Sequence, residues 1–204
     1  MEQPRKLLFA SHNLHKVEEM RRICGPRFRI VSLADVGCTE DIPEDGLTLD
    51  ENARAKALWV FRRYGLPCFA DDTGLEVDAL GGQPGVHTAR FAGPECDSKA
   101  NVALLLERLQ GQPDRTARFR TVIAFVDADG TVRCFNGEAR GRIAAEPEGA
   151  GGFGYDPVFI PDDGPGCTFA LMSAQDKNAI SHRGRATASF LKYLESAPCA
   201  GSVN

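Results

Sequence analysis

Length, composition and charge describe a globular protein and exclude several classes. The chain has 204 residues, 43% of them hydrophobic and 25% charged, and can bury a sizeable core. Its 28 acidic and 24 basic side chains give a formal net charge of −4, which disfavours binding to long nucleic acids. The apolar runs at 102–106 and 122–126 are far shorter than the roughly 18 residues of a membrane helix. The N-terminal apolar segment is too short for a signal peptide, so we expect a cytoplasmic protein without membrane segments.

The predicted elements alternate between helices and strands. In chain order they are a strand at 6–10, a helix at 13–24, a strand at 28–33, a helix at 48–63, strands at 68–70 and 74–80, a helix at 97–109, a hairpin at 116–143 with its turn at 127–130, a strand at 158–160, and helices at 173–178 and 181–194. Hairpins beside β–α connections favour an α/β protein with a mixed sheet. We expect the last residues, from 197 to 204, to be disordered.

The cysteines predict neither a disulfide framework nor a metal clip. There are seven of them, an odd number, and neighbouring ones are at least 14 positions apart. The four histidines do not pair with them at the spacing of zinc ligands. We therefore expect reduced cysteines that are mostly buried.

A candidate phosphate site lies where the first strand meets the first helix, in the segment SHNLHK. A helix N-terminus offers backbone N–H groups and the positive end of the helix dipole to an anion. Ser11 and Asn13 could add hydroxyl and amide donors, and Lys16 a positive charge. The alternative interpretation is that Ser11 or Asn13 only caps the helix while Lys16 is solvated.

A candidate metal site follows the predicted strand at 68–70, where Asp71 and Asp72 are adjacent. Carboxylates at a strand end are suitable ligands for Mg²⁺, which prefers oxygen. Glu51, in the first turn of a helix, could complete the site. Each has a structural alternative, because DDTG is also a turn sequence and Thr48 with Glu51 matches a capping box.

A candidate base-binding region lies near the C-terminus, in GGFGYDP and KNAISHR. Phe153 or Tyr155 could offer a face for stacking on a base. The donors of Lys177, Ser181, His182 and Arg183 could bind a purine edge. Phe153 could equally belong to the core, and Ser181 could simply cap the last helix.

These motifs together resemble one family over nearly the whole chain. SHNLHK, TLDENARAKA, FADDTGLEVDALGGQPGVHTARFAG, GGFGYDPVF and KNAISHR occur in this order. The sequence resembles the inosine triphosphate pyrophosphatase family, whose members hydrolyse dITP, ITP and XTP to the monophosphate and pyrophosphate and so cleanse the nucleotide pool. The resemblance implies a single domain over residues 1–204, with an elongated mixed β-sheet flanked by helices, two lobes and a central nucleotide-binding cleft. It also implies Mg²⁺ dependence and a homodimer.

The resemblance assigns roles to individual residues. Asp72 matches the general base, and Asp72 and Glu51 match the metal site, with Asp71 as a further ligand through water. Lys16 matches a catalytic cation of the phosphate-binding turn. The substrate-binding positions are Ser11, His12, Asn13, Leu14, His15, Lys16, Thr73, Phe153, Gly154, Tyr155, Asp156, Lys177, Ser181, His182 and Arg183.

Four positions, in three segments, depart from the family pattern. Ser11-His12-Asn13 replaces the more usual Thr-Gly-Asn, which adds a side chain where glycine lets the backbone approach closely. His87 replaces a tyrosine, and Leu171 replaces a common acidic residue.

The expected reaction is attack of water on a phosphorus atom, with pyrophosphate as leaving group. We expect Asp72 to deprotonate the water, while Lys16 and the helix N-terminus stabilise negative charge. Donors from His182 or Arg183 would select the keto oxygen of the purine over the amino group of adenine. Two alternatives stay open, a nucleotide-binding regulator without turnover and a pyrophosphatase for modified pyrimidine nucleotides.

Overall fold

The computed structural model describes residues 5–196. Its helices are α1 (Leu14–Cys24), α2 (Leu49–Tyr64), α3 (Ser98–Arg108), α4 (Ala174–Ile180) and α5 (His182–Ser196). Its strands are β1 (Arg5–Phe9), β2 (Phe28–Ser32), β3 (Cys68–Val77), β4 (Pro84–Gly85), β5 (Thr116–Val126), β6 (Val132–Ile143) and β7 (Phe159–Pro161). The predicted disorder of the last eight residues lies outside the described part.

The strands form one mixed sheet, which confirms the predicted α/β class. The order is β2-β1-β3-β5-β6-β7, and β4 pairs with β3. β1 runs parallel to both β2 and β3, whereas β3 with β4 and β6 with β7 are antiparallel. Parallel neighbours follow the β–α connections through α1 and α2, and the antiparallel pairs follow the shorter connections.

The prediction of two separate strands at 68–70 and 74–80 is wrong. Strand β3 continues through Asp71, Asp72 and Thr73 and ends at Val77. Both carboxylates are buried, and each is bound to a lysine. Because these ion pairs compensate the buried charge, the strand does not need to turn towards solvent at DDTG.

The helix caps follow from local sequence. Asn13, Thr48, Asp97 and Ser173 each precede a helix and accept a hydrogen bond from a backbone N–H of its first turn. This confirms the capping box predicted at Thr48 and the helix predicted to begin at 97. None of the described helices is long and apolar enough to cross a membrane.

The chain divides into two compact units, each with its own core. The first unit contains the described residues up to 72, then 122–136 and those from 186 onward. In its core the rings of Phe9 and Phe69 stack with centres 4.6 Å apart, and Phe190 of α5 packs against Phe69. The second unit contains residues 73–121 and 137–185, and its core includes the rings of Phe119 and Phe159.

The cysteines at 24, 38, 68, 96, 134 and 167 are free thiols, as predicted. Only Cys24, Cys38 and Cys68 are buried, so the expectation that most are buried holds for half of these six. Burial raises the pKa of Cys24 and of Cys68 to about 12. These two thiols are therefore poor nucleophiles near neutral pH.

Candidate active site

The turn before α1 is held by its own side chains. The Ser11 hydroxyl accepts a hydrogen bond from the N–H of Asn13 at 3.2 Å, and the Asn13 amide oxygen accepts from the N–H of Lys16 at 3.2 Å. His12, Leu14 and the neighbouring His15 are exposed, and Nε2 of His12 lies 2.9 Å from the carbonyl oxygen of Glu40. The predicted capping by Asn13 is confirmed, and the N-terminus of α1 lies at this turn.

Two lysines and three carboxylates form a cluster in the first unit. The carboxylate–lysine cluster consists of Lys16, Glu44, Lys56, Asp71 and Asp72. The Lys16 ammonium donates to Asp71 at 2.9 Å. The Lys56 ammonium donates to both Glu44 and Asp72, each at 2.8 Å. One ammonium therefore bridges two carboxylates, within a side chain that is only 6% exposed.

Helix α2 supplies the inner side of this cluster. Asn52 and Lys56 are four residues apart and share the buried face of the helix with Ala53 and Ala57. The Asn52 amide donates to Oδ2 of Asp72 at 3.3 Å, and its oxygen accepts from the N–H of Gly46 at 2.8 Å. Asn52 thus joins the loop before α2 to the carboxylate on β3.

Glu51 forms the capping box of α2. Its carboxylate accepts from the N–H groups of Leu47 at 2.8 Å and Thr48 at 3.1 Å, and the Thr48 hydroxyl accepts from the N–H of Glu51. The structural alternative for Glu51 is therefore observed. Glu44 is the residue that the structure brings beside Asp72, through the ammonium that they share.

At Asp72 and at Lys56, burial and the neighbouring charges shift the pKa in opposite directions. Burial raises the pKa of Asp72 above its usual range, and the charges of Lys56 and Lys16 oppose this shift without cancelling it. Burial by itself lowers the pKa of Lys56, but the combined charges of Asp72, Glu44 and Asp71 outweigh it, so the pKa is raised. Lys56 therefore stays charged, while Asp72 is a stronger base than an exposed aspartate.

The carboxylates of the carboxylate–lysine cluster suit a hard cation that also binds water and substrate oxygens. Across residues 5–196, no three His, Cys, Asp or Glu side chains lie close enough together to hold a metal by themselves. Mg²⁺ is commonly bound by one or two carboxylates, with water and substrate phosphates as the remaining ligands. The carboxylates of Glu44 and Asp72 match this donor set.

The second unit contains an aromatic ring flanked by cations. The Phe153 cluster consists of Phe153, Asp156, Lys177, His182 and Arg183. Asp156 Oδ2 accepts from the N–H of Phe153 at 2.8 Å and from the Lys177 ammonium at 2.6 Å. The Lys177 nitrogen and the Arg183 guanidinium carbon lie 5.1 and 5.5 Å from the centre of the Phe153 ring. Such distances are typical of cation–π contacts.

Backbone conformation and close packing explain the glycines at 152 and 154 of this loop. Gly152 has φ of 71°, and a Cβ at this position would lie 2.0 Å from Oδ2 of Asp156. Gly154, with φ of 63°, directly precedes Tyr155. Glycine at 152 therefore lets the loop close onto Asp156.

Tyr155 and Ser181 have structural contacts. Tyr155 is buried in the core of the second unit, and its hydroxyl donates to the carbonyl oxygen of Thr88 at 2.9 Å. Of the two predicted stacking residues, Phe153 is therefore the half-buried one. The Ser181 hydroxyl accepts from the N–H of Gly184 at 3.1 Å, which is the capping contact named as its alternative.

His182 and Arg183 are both buried at the start of α5. The imidazole of His182 stacks on the ring of Phe119, with centres 4.5 Å apart and planes at 14°. The Arg183 guanidinium donates to the hydroxyl of Thr73 at 3.2 Å. Thr73, predicted to contact the nucleotide, therefore lies beside a predicted base-binding cation.

Sequence reasoning missed Glu44, Asn52, Lys56 and Phe119. Asn52 and Lys56 gave a usable signal, because two polar residues occupy positions on the apolar face of a predicted amphipathic helix. Glu44 in an acidic loop and Phe119 in a strand gave none. A separate cavity of about 970 Å³ in the first unit, lined by Lys6, Arg29 and Leu66 among others, contains none of the predicted site residues.

Comparison with known proteins assigns the family. The chain is an α/β protein whose residues 7–193 match the model of the Ham1 family. The chain belongs to the Ham1 family, and the resemblance to inosine triphosphate pyrophosphatases is confirmed.

Relatives and solved structures match nearly the full length. A dITP/XTP pyrophosphatase of Porphyromonas gingivalis is 53% identical over 190 residues, which cover 93% of this chain and 97% of that protein. The structure of a HAM1 protein from Coxiella burnetii has a TM-score of 0.85 at 35% identity and covers 95% of this chain and 100% of its own. The Staphylococcus aureus Ham1 protein has a TM-score of 0.84 at 34% identity, with coverage of 94% and 98%.

Proposed function

We propose that this protein hydrolyses dITP, ITP and XTP to the nucleoside monophosphate and pyrophosphate. The observation that carries the proposal is Asp72, a buried carboxylate held between the ammonium of Lys56 and the amide of Asn52. Relatives that match more than nine tenths of this chain bear the name dITP/XTP pyrophosphatase. Removal of such nucleotides would keep them out of DNA and RNA.

In this proposal Asp72 acts as the general base. It takes a proton from a water molecule whose oxygen attacks the α-phosphorus of the substrate. The bond from that phosphorus to the bridging oxygen breaks, and pyrophosphate leaves with the electron pair. The geometry supports this role, because the Lys56 ammonium and the Asn52 amide hold the two carboxylate oxygens of Asp72 in fixed positions.

The cations of the first unit have a different role. Lys16 and Lys56 hold positive charge where negative charge grows on the phosphate oxygens, and the N-terminus of α1 adds its dipole. We propose that Asp72 and Glu44 hold Mg²⁺, with Asp71 acting through Lys16 and water. The bound ion would neutralise phosphate charge. Glu44 replaces Glu51 in this proposal because Glu44 shares the Lys56 ammonium with Asp72, whereas Glu51 accepts from backbone N–H groups of the capping box.

The Phe153 cluster is the proposed site for the base. The ring offers a stacking surface, and the N–H groups of Arg183 and His182 can donate to a keto oxygen at the purine 6-position. Adenine presents an amino donor at this position, so a donor would face a donor there, at a cost of about 1–3 kcal/mol for each mismatched group. The site should therefore disfavour ATP. Guanine shares the keto group, so rejection of GTP requires a wall without acceptors beside its 2-amino group.

A product assay tests the proposal. Purified protein is incubated with dITP and Mg²⁺, and chromatography separates dIMP with pyrophosphate from dIDP with phosphate. We expect dIMP and pyrophosphate, and at least a 100-fold slower reaction for Asp72→Asn, because general bases contribute about 10²–10⁴ in rate. Asp129→Asn, in the β5–β6 turn, is the matched control and should keep the wild-type rate. Release of phosphate alone, or full activity of Asp72→Asn, would refute the mechanism.

We also propose that the protein works in the cytoplasm, and that it is a Mg²⁺-dependent homodimer, as the family resemblance implies. Light scattering after size exclusion measures the mass in solution. A mass near 44 kDa, twice the 22.1 kDa of one chain, is expected. A mass of one chain at micromolar concentration would contradict the dimer.

A further inference from the structure

Strand β5 contributes two side chains that support the Phe153 cluster. Phe119 and Thr121 are two residues apart and therefore lie on the same face of the strand. Phe119 stacks on the imidazole of His182. Thr121, which is 1% exposed, has its hydroxyl oxygen 2.7 Å from that of Thr73.

The contacts form a chain of hydrogen bonds that ends at a guanidinium. Arginine can only donate, so the Thr73 hydroxyl oxygen accepts from Arg183. The Thr121 hydroxyl is bonded to the same oxygen and fixes its position. A guanidinium is a planar and rigid fork, so fixing one N–H restricts the directions in which the other four can point.

Because Arg183 is buried, the orientation of its guanidinium decides which acceptors its N–H groups can reach. Arg183 is 2% exposed and lies over the Phe153 ring, so water is largely excluded as a substitute partner for its N–H groups. A small rotation of the guanidinium would turn its donors away from an acceptor on a stacked base. Hydrogen bonds weaken steeply with such misalignment.

We infer that Thr121 is a positioning residue which, through Thr73, orients Arg183 and so sets the preference for 6-keto over 6-amino purines. The inference rests on the proposed function, because it assumes that Arg183 faces the base. It assigns the role to the hydroxyl group of Thr121 and not to its methyl group.

Three variants separate the hydroxyl from other contributions. Thr121→Val keeps the shape and removes the hydroxyl, whereas Thr121→Ser keeps the hydroxyl and removes the methyl. Thr187→Val is the matched control, because Thr187 is also fully buried and its hydroxyl donates to the sulfur of Met20, in the core of the first unit. If Thr121→Val does not fold, the comparison of Thr121→Ala with Thr121→Ser isolates the hydroxyl, because both lack the methyl group.

The measurement is the ratio of dissociation constants for dITP and dATP, by calorimetry in EDTA, together with the ratio of kcat/KM in Mg²⁺. We expect Thr121→Val to reduce the preference for dITP by about tenfold, the worth of one hydrogen bond of about 1.4 kcal/mol. Thr121→Ser and Thr187→Val should stay within about threefold of wild type.

The two readouts distinguish the inference from the proposed function. Binding preference that falls in Thr121→Val supports the inference even if no pyrophosphate is released, a result that would refute the proposed reaction alone. An unchanged preference in Thr121→Val would overturn the inference while leaving the reaction intact. The inference would also be overturned if Thr121→Ser, which lacks only the methyl group, lost the preference for dITP. The same holds if the wild-type protein shows no preference between dITP and dATP.

Discussion

The ion pair between Lys56 and Asp72 leads to a quantitative prediction about stability. Their nitrogen and oxygen lie 2.8 Å apart, and the side chains are only 6% and 11% exposed. Replacing Lys56 by Met keeps the length of the side chain but leaves the Asp72 carboxylate without its main counter-charge. Breaking a buried pair in this way costs about 3–5 kcal/mol. We expect the lower end, near 3 kcal/mol, because Asn52 and Lys16 still stabilise the carboxylate.

A double-mutant cycle isolates the interaction. Asp72→Asn removes the charge that Lys56 neutralises, so the double variant should be more stable than the sum of the single changes predicts. We expect a coupling energy of about 2–3 kcal/mol. Urea unfolding followed by fluorescence of the single tryptophan, Trp59, measures the free energies of unfolding.

An exposed pair serves as the control. Arg27 and Glu195 are 2.6 Å apart, but their side chains are 67% and 45% exposed. The same cycle with Arg27→Met and Glu195→Gln should give a coupling energy of about 0–1 kcal/mol. A coupling at Lys56 and Asp72 that does not exceed this control would show that the ammonium is not a buried counter-ion, and the account of the carboxylate–lysine cluster would fail.

Two further predictions concern packing and pH. In Gly184→Ala the new Cβ would lie 1.8 Å from the carbonyl oxygen of Asn178, so α4 and α5 must separate. We expect urea unfolding to show a loss of about 1–3 kcal/mol in the free energy of unfolding, and the KM for dITP to rise. Unchanged stability would contradict this packing. Hydrogen bonds from the N–H and hydroxyl of Ser32 lower the pKa of Asp35 in the folded protein. The ionised carboxylate therefore stabilises the fold above about pH 4, near the unfolded-state pKa, and this stabilisation is lost as the pH falls through the lowered pKa of the folded state. The difference in unfolding free energy between wild type and Asp35→Asn should therefore shrink in acid, and a constant difference across that range would contradict the assignment.

The helix starts could be predicted because their determinants are local. Thr48 and Asp97 bond to backbone groups two or three residues away, and these patterns are visible in the sequence. The capping interpretation of Glu51 has the same local origin. Its proposed metal role depended on a contact between distant segments, which spacing along the chain does not reveal.

Strand β3 could not be predicted as one element for the complementary reason. Asp71 and Asp72 read locally as a turn, but their partners are 55 and 16 positions away, at Lys16 and Lys56. Only the folded chain brings the ammonium groups to the carboxylates. The strand continues because charges from other elements compensate the cost of burial.

The aromatic residues of GGFGYDP show the same limit. Phe153 and Tyr155 are equivalent candidates in the sequence, yet the structure places Tyr155 in the core with its hydroxyl bonded to Thr88, 67 positions away. Phe153 stays half-buried, with the Lys177 nitrogen and the Arg183 guanidinium carbon 5.1 and 5.5 Å from its ring centre. The motif located the region, and the long-range contacts decide which ring is available.

The proposed function requires that this protein select triphosphates of deaminated purines and hydrolyse them with a divalent cation. A competition assay tests it most directly, with dITP, ITP, XTP, GTP, ATP and a methylated pyrimidine triphosphate at equal concentrations, with and without Mg²⁺. The account predicts that dITP, ITP and XTP are consumed first, with release of pyrophosphate, and that EDTA stops the reaction. Consumption of ATP or the pyrimidine at the same rate, or a reaction that continues in EDTA, would contradict it.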